Sequence, residues 1–185
     1  MIYLLGGSAR SGKTTIAKRF LNEMKVSYFS LDYLMMGIAN GVPELKVNPI
    51  SNAFLIGRQL WHIIDPMITA MVENGTTCLF EGNQLVPRYV KQLEERYGKE
   101  IRSCFLGFAE SNPNDKLSEI LNYKGTENNW VENCSYEELA VESEKLIDFS
   151  KGVREECKKY GLTYFDVSSH YDEIVGEVVE YLKKA

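Results

Sequence analysis

Gly7-Ser8-Ala9-Arg10-Ser11-Gly12-Lys13-Thr14 decides how this chain is read. The run has the form G-x-x-x-x-G-K-[ST] and lies between the apolar Ile2–Leu5 and the helical pattern Thr14–Met24. Each position answers a physical need. The glycines permit positive φ and close backbone approach, so that successive N–H groups turn toward one anion. A helix opening at the end of the run adds the positive end of its dipole. Lys13 brings a mobile cation to the β- and γ-phosphates of a nucleoside triphosphate, and Thr14 brings a hydroxyl to Mg²⁺. Gly7 to Thr14, with the adjoining Thr15, are therefore the expected nucleotide contacts.

Two competing readings of the glycines fail. A dinucleotide fingerprint needs glycines at other spacings, although Asp32 stands about where its ribose-binding acid would fall. A guanine-specific site needs an Asn-Lys-x-Asp sequence, and Asn122-Tyr123-Lys124-Gly125 is unrelated to it.

Outward from the loop, five β-like runs alternate with helical patterns. The runs are Ile2–Leu5, Val26–Leu31, Thr76–Phe80, Ile101–Ala109 and Leu162–Val167. Each is rich in β-branched or aromatic residues, as strands buried on both faces should be. The helical patterns include Asn52–Glu73, where Pro66 should kink the helix or start a new one, and Pro87–Tyr97, which opens on proline. Ser135-Tyr136-Glu137-Glu138 is a capping box, followed by Leu139, Leu146, Val153 and Tyr160 at seven-residue intervals up to Gly161. Strand–helix alternation of this kind predicts an α/β fold of three layers around a parallel sheet. Gly37–Asn48 and the polar Tyr123–Asn133 fall outside it and are read as functional loops.

Length and composition fit one domain, 1–185. A chain of 185 residues buries about 70% of its unfolded surface and needs no metal or disulfide staple. With 44% hydrophobic and 25% charged residues, disorder is excluded. A net charge of −5 argues against a nucleic-acid partner. The charge is uneven, however: residues 1–92 carry 9 basic and 6 acidic side chains, and residues 93–185 carry 12 and 20. An anionic ligand thus belongs to the first half. Four cysteines at intervals of 26, 30 and 23 residues match no zinc spacing, and Cys78 and Cys104 read as core residues. No apolar stretch approaches the roughly 20 residues of a membrane span. The expected setting is the cytoplasm, with no membrane partner.

Ligands of an open parallel sheet lie beyond the carboxyl ends of its strands, which singles out the acids there. Asp32 follows the second run in Ser30-Leu31-Asp32-Tyr33 and is a candidate base or acceptor anchor; capping the Tyr33–Ile38 turn is its alternative. Glu81 follows the third and suits a Mg²⁺ site with Thr14. Trp61 and Trp130 read as packing residues, and His62 as structural. His170 stands after the last strand run, either as a nucleotide contact or as a cap of the final helix.

The whole chain resembles a small P-loop kinase of the nucleoside-monophosphate kinase group. Glu81-Gly82-Asn83-Gln84-Leu85-Val86-Pro87-Arg88 is similar to the Glu-Gly-x-His-Leu-Val-Pro stretch of 2-phosphoglycerate kinase-like proteins. More loosely, it resembles the Asp-Gly-Phe-Pro-Arg stretch of adenylate kinases. Gln84 stands where the former has histidine, and three extra residues part Glu81-Gly82 from Pro87-Arg88 relative to the latter. The resemblance implies a P-loop NTPase fold with five parallel strands in the order 2-3-1-4-5. It also implies an acceptor-binding insert at about 33–75 and a lid at about 110–134. His170 would lie where such kinases contact adenine. The lid departs from adenylate kinases, for Glu110–Cys134 has no arginine and only Lys116 and Lys124. The guanidinium groups left for the site are Arg10, Arg58 and Arg88, whereas Arg154 is expected on the side away from the strand ends.

The function expected is ATP- and Mg²⁺-dependent phosphoryl transfer by Lys13, Asp32 and Glu81. The acceptor is a small anionic metabolite held by Asp32, Arg58, Asn83, Gln84 and Arg88. Bidentate gripping of a carboxylate or phosphate is what arginine does best. A nucleoside or nucleoside-monophosphate kinase is the second enzyme reading. The arginine-free lid keeps a third open: an ATP-binding regulatory or toxin-like module without metabolic kinase activity.

Overall fold

Ile2–Gly7 forms strand β1, every residue of it buried. In the computed structural model, which describes residues 1–122 and 134–184, it is the middle strand of five. β3 (Cys78–Glu81) and β4 (Ile101–Gly107) flank it, β2 (Tyr28–Ser30) pairs with β3, and β5 (Tyr164–Asp166) pairs with β4. All pairings are parallel and the order is β2-β3-β1-β4-β5, the order the resemblance implied. Alternation along β1 divides the core. Ile2 and Leu4 enter one cluster with Ile56, Leu60, Ile64, Val90 and Leu93, whereas Tyr3 and Leu5 enter the other with Ile16, Phe20, Val178 and Val179. Burying a side chain of this size is worth about 1.5–3 kcal/mol, so both faces of the sheet hold the helices firmly.

The helices follow the sequence patterns closely. α1 (Lys13–Met24) begins at Gly12, and α2 (Leu31–Gly41) leaves β2 directly. α3 (Ala53–Glu73) is capped by the Asn52 side chain, and α4 (Pro87–Tyr97) opens on its proline. α5 (Pro113–Asn122) follows β4. Both bonds of the Ser135/Glu138 capping box form at the start of α6 (Tyr136–Tyr160), which stops at the left-handed Gly161. α7 (Tyr171–Lys183) closes the described chain. Among the described residues, no helix is long and apolar enough to cross a membrane.

Four expectations need correction. β2 and β5 are shorter than their apolar runs and only partly buried, because they are the edges of the sheet. β1 continues through Gly6 and Gly7, which pair with Phe105 and Leu106. The first part of Gly37–Asn48 is helical, as α2 runs to Gly41. Packing of Leu34, Met35, Ile38 and Ala39 on the core overrides the poor propensities of Gly37, Asn40 and Gly41. α3 passes through Pro66 as one helix; Pro66 and His62 are both exposed, so the carbonyl that loses its donor meets water. The register then sets the site. Leu5 and Ser30 both stand level with Glu81, so the loop after β1, the start of α2 and the end of β3 meet at one edge.

Candidate active site

The phosphate-type loop is braced from within. Gly7 has φ 123°, and a Cβ there would lie 1.9 Å from the Leu106 carbonyl oxygen, so no other residue fits. The Ser8 amide donates to that same oxygen at 2.8 Å, and the Ser8 hydroxyl donates to the Leu146 carbonyl at 3.3 Å. The Ser8 carbonyl accepts from the Ser11 hydroxyl at 2.8 Å and from Lys13 Nζ at 2.6 Å. Ser8 and Ser11 are fully buried, so their side chains fix the loop rather than face a ligand. Gly12, at φ 91°, precedes α1 with no side-chain cap and no acid in the first turn. That helix end is left open to an anion. Arg10 holds a left-handed φ of 58°, and Ala9 beside it packs on the second core cluster.

Three charged groups converge behind the loop. Glu81, 3% exposed, accepts from the Thr14 hydroxyl at 3.2 Å. Burial pushes Lys13 below the ordinary lysine range, while Glu81 and then Asp32 pull it back up. Opposite charges within reach of one buried ammonium define the electrostatic centre of the site. Thr15 is exposed on the outer side of the same turn. Among the described residues, no three His, Cys, Asp or Glu gather as a self-sufficient metal site. The Thr14 hydroxyl beside one carboxylate instead fits Mg²⁺, which takes one or two carboxylates and completes its shell with phosphate oxygens and water.

Asp32 does not cap α2, because Ser30 occupies that position and Asp32 falls in the first turn. Its carboxylate is exposed and accepts from Gln84 Nε2 at 2.7 Å. Gln84 itself is 1% exposed, with Nε2 also 3.5 Å from Met35 Sδ. Its Oε1 is buried without a hydrogen-bond partner and lies over Gly82, where a Cβ would come within 2.4 Å. The amide cannot turn round, since Oε1 would then face a carboxylate. Gln84 therefore stands behind Asp32 instead of opening to solvent. Asn83 is half-buried next to it.

Arg58 and Arg88 are exposed on α3 and α4, which flank this loop: Gly57 packs so tightly that a Cβ would lie 2.2 Å from the Gln84 carbonyl oxygen. Trp61 is buried and stacks on Tyr89 at 5.0 Å, as a packing residue should. His170 is exposed at the N-terminus of α7, makes no side-chain capping bond, and has Nδ1 3.8 Å from Glu173. Its neighbour Tyr171 is the residue that meets the loop, for a Cβ on Gly12 would lie 2.3 Å from the Tyr171 hydroxyl. Arg154 is corrected as well. It pairs with Glu110, just past β4, and its side chain lies near Tyr164 and Asp166 of β5. Trp130, Lys124 and residues 123–133 of the lid-like stretch lie outside the described residues. Sequence reasoning passed over Tyr171 and the Gln84–Asp32 bond, whose partners are far apart in the chain and carry no shared motif.

No protein-family model matches the chain, and no curated protein does. Solved structures match over nearly its whole length. A shikimate kinase from Bacteroides thetaiotaomicron is similar with a TM-score of 0.59 and 14% identity, covering 99% of this chain and 98% of its own. The fold is that of the P-loop kinases. A gluconokinase from Sinorhizobium meliloti 1021 shares this P-loop kinase fold at a TM-score of 0.53 and 17% identity, covering 98% and 91%. A sugar kinase from Janibacter sp. HTCC2649 does so at 0.59 and 12%, covering 100% and 95%.

Proposed function

We propose that this protein transfers the terminal phosphoryl group of ATP, with Mg²⁺, to a hydroxyl of a small metabolite that carries an anionic group. The observation that carries the reading is the convergence of Lys13, Thr14, Glu81 and Asp32 at one edge of the sheet. The three structures named above are kinases of small acceptors by name, which supports the coarser part of it. The buried thiols of Cys78, Cys104 and Cys157 suit a reducing cytoplasm.

The residues divide the work. The open end of α1 and the loop amides bind the triphosphate, and Lys13 moves from the Ser8 carbonyl to the phosphate oxygens as charge gathers there. Thr14 and Glu81 would hold Mg²⁺, which when bound neutralises the β- and γ-oxygens. Asp32, fixed by Gln84, accepts the hydroxyl proton as the acceptor's oxygen–phosphorus bond forms and the bond to ADP breaks. Arg58 and Arg88 grip the acceptor's anionic group, and Asn83 reads its neutral part. His170 and Tyr171 border the nucleotide.

A screen of phosphorylatable metabolites, nucleosides and nucleoside monophosphates for ADP release tests the reading. Turnover with an anionic acceptor is expected. The absence of arginine from Glu110–Cys134 favours a regulator as the second reading, and a protein stabilised by ATP that phosphorylates nothing would establish it.

A further inference from the structure

Lys116, 2% exposed, is the least exposed charged side chain among the described residues. It is the fourth residue of α5, and its Nζ lies 3.0 Å from both carboxylate oxygens of Glu119. The same atom donates to the Arg10 carbonyl at 3.3 Å and sits 3.6 Å from the centre of the Phe108 ring. An ion pair with an acid three residues away does not require burial. Lys145–Glu142, Lys151–Asp148 and Lys183–Glu180 form such pairs at the surface. Withdrawing an ammonium from water costs several kcal/mol unless its donors are met, so the buried position needs another reason.

Arg10 supplies it. A left-handed φ at a residue with a Cβ costs about 1–2 kcal/mol. Of the other non-glycines with positive φ, Lys25 and Lys46 stand at helix C-termini, where the backbone commonly turns this way, and His170 stands at the start of α7. Arg10 stands mid-loop. We propose that Lys116 is a positioning residue of the phosphate-binding loop. Its ammonium, seated on Phe108 and balanced by Glu119, holds the Arg10 carbonyl and with it the turn that aims the Ser11 and Gly12 amides at phosphate. Lys116 thereby ties α5, where the lid-like stretch begins, to the nucleotide site without touching the nucleotide. The inference rests on the loop binding a triphosphate, as proposed above.

The test is a double-mutant cycle read by calorimetric titration with Mg·ATP. Lys116→Met keeps the buried stem and removes the donor, and should weaken binding about tenfold while leaving the acceptor KM unchanged. Arg10→Gly removes the conformational cost together with a guanidinium that interacts with Glu119 and Lys116, so Arg10→Ala is the control: Lys116→Met should weaken binding about tenfold in Arg10→Ala and less than twofold in Arg10→Gly. Equal weakening in both backgrounds, or none in the first, overturns the inference. Hydrogen exchange without nucleotide separates this from failure of the ATP reading. Faster exchange at the Ser8 and Ile16 amides, which donate to the Leu106 and Gly12 carbonyls, in Lys116→Met, with the core strands unchanged, supports the positioning role even if ATP is the wrong ligand. Unchanged exchange there overturns it. Should Lys116→Met fail to fold, Lys116→Gln, polar but too short to reach Arg10, carries the same comparison.

Discussion

The proposed phosphate loop and the proposed acceptor rim share one edge of the sheet and are built in opposite ways. In the loop, Ser8, Ser11 and Lys13 are buried and bonded to backbone carbonyls, and behind it the buried Glu81 accepts from the Thr14 hydroxyl. On the rim, Asp32, Arg58 and Arg88 are exposed. Among the described residues no hydrogen bond or ion pair forms on either arginine, and only Gln84 steadies Asp32. A triphosphate is one shape, which a rigid backbone can match. An acceptor is read by side chains that remain free to close on it. Substitutions in the loop should therefore act on all substrates, whereas those on the rim should act on one.

The largest effect is expected from Lys13→Ala. Steady-state turnover should fall about a thousandfold or more, the scale on which preorganised charge at a reacting group contributes. Asp32→Asn comes next, at about a hundredfold in kcat. Mg·ATP affinity should change less than twofold, since Asp32 is proposed to serve the acceptor. A comparable loss of ATP affinity in Asp32→Asn would erase the division between loop and rim.

How much of this division was legible follows from where its parts lie in the chain. The loop is contiguous, so Gly7 to Thr14 announced it, and the strand–helix alternation announced the sheet. Gln84 and Asp32 are 52 residues apart and meet only because β2 pairs with β3. Lys116 and Arg10 are 106 apart. From composition alone Lys116 was merely one of two cations in an arginine-poor stretch, and nothing local signals that its ammonium is buried. Arg154 was placed on the wrong side because helical position does not reveal how far a guanidinium reaches. Edge strands were read too long, since apolar runs do not show where pairing stops.

Two smaller effects sharpen the comparison. Burial lowers the Lys13 pKa, so the free protein loses this proton below the roughly 10.4 of an exposed lysine. On the proposed reading the triphosphate binds the protonated form. As pH rises through that lowered pKa, binding must first restore the proton, and the Mg·ATP Kd should rise toward tenfold per pH unit. Calorimetry over the alkaline range checks this; a Kd flat to pH 10.5 would place Lys13 outside the binding event. Arg58→Lys and Arg88→Lys keep the charge but lose the planar fork, and each should raise the acceptor KM about two- to fivefold. The KM for ATP should be unmoved.

One measurement bears most directly on the account: phosphoryl transfer from Mg·ATP, followed by phosphorus NMR, to paired acceptor panels that differ in carrying a carboxylate or phosphate. The account predicts a new phosphorylated product from an anionic member and none from its neutral counterpart, with the signal abolished in Lys13→Ala. Efficient phosphorylation of an uncharged sugar or nucleoside, indifferent to Arg58→Lys and Arg88→Lys, would contradict it.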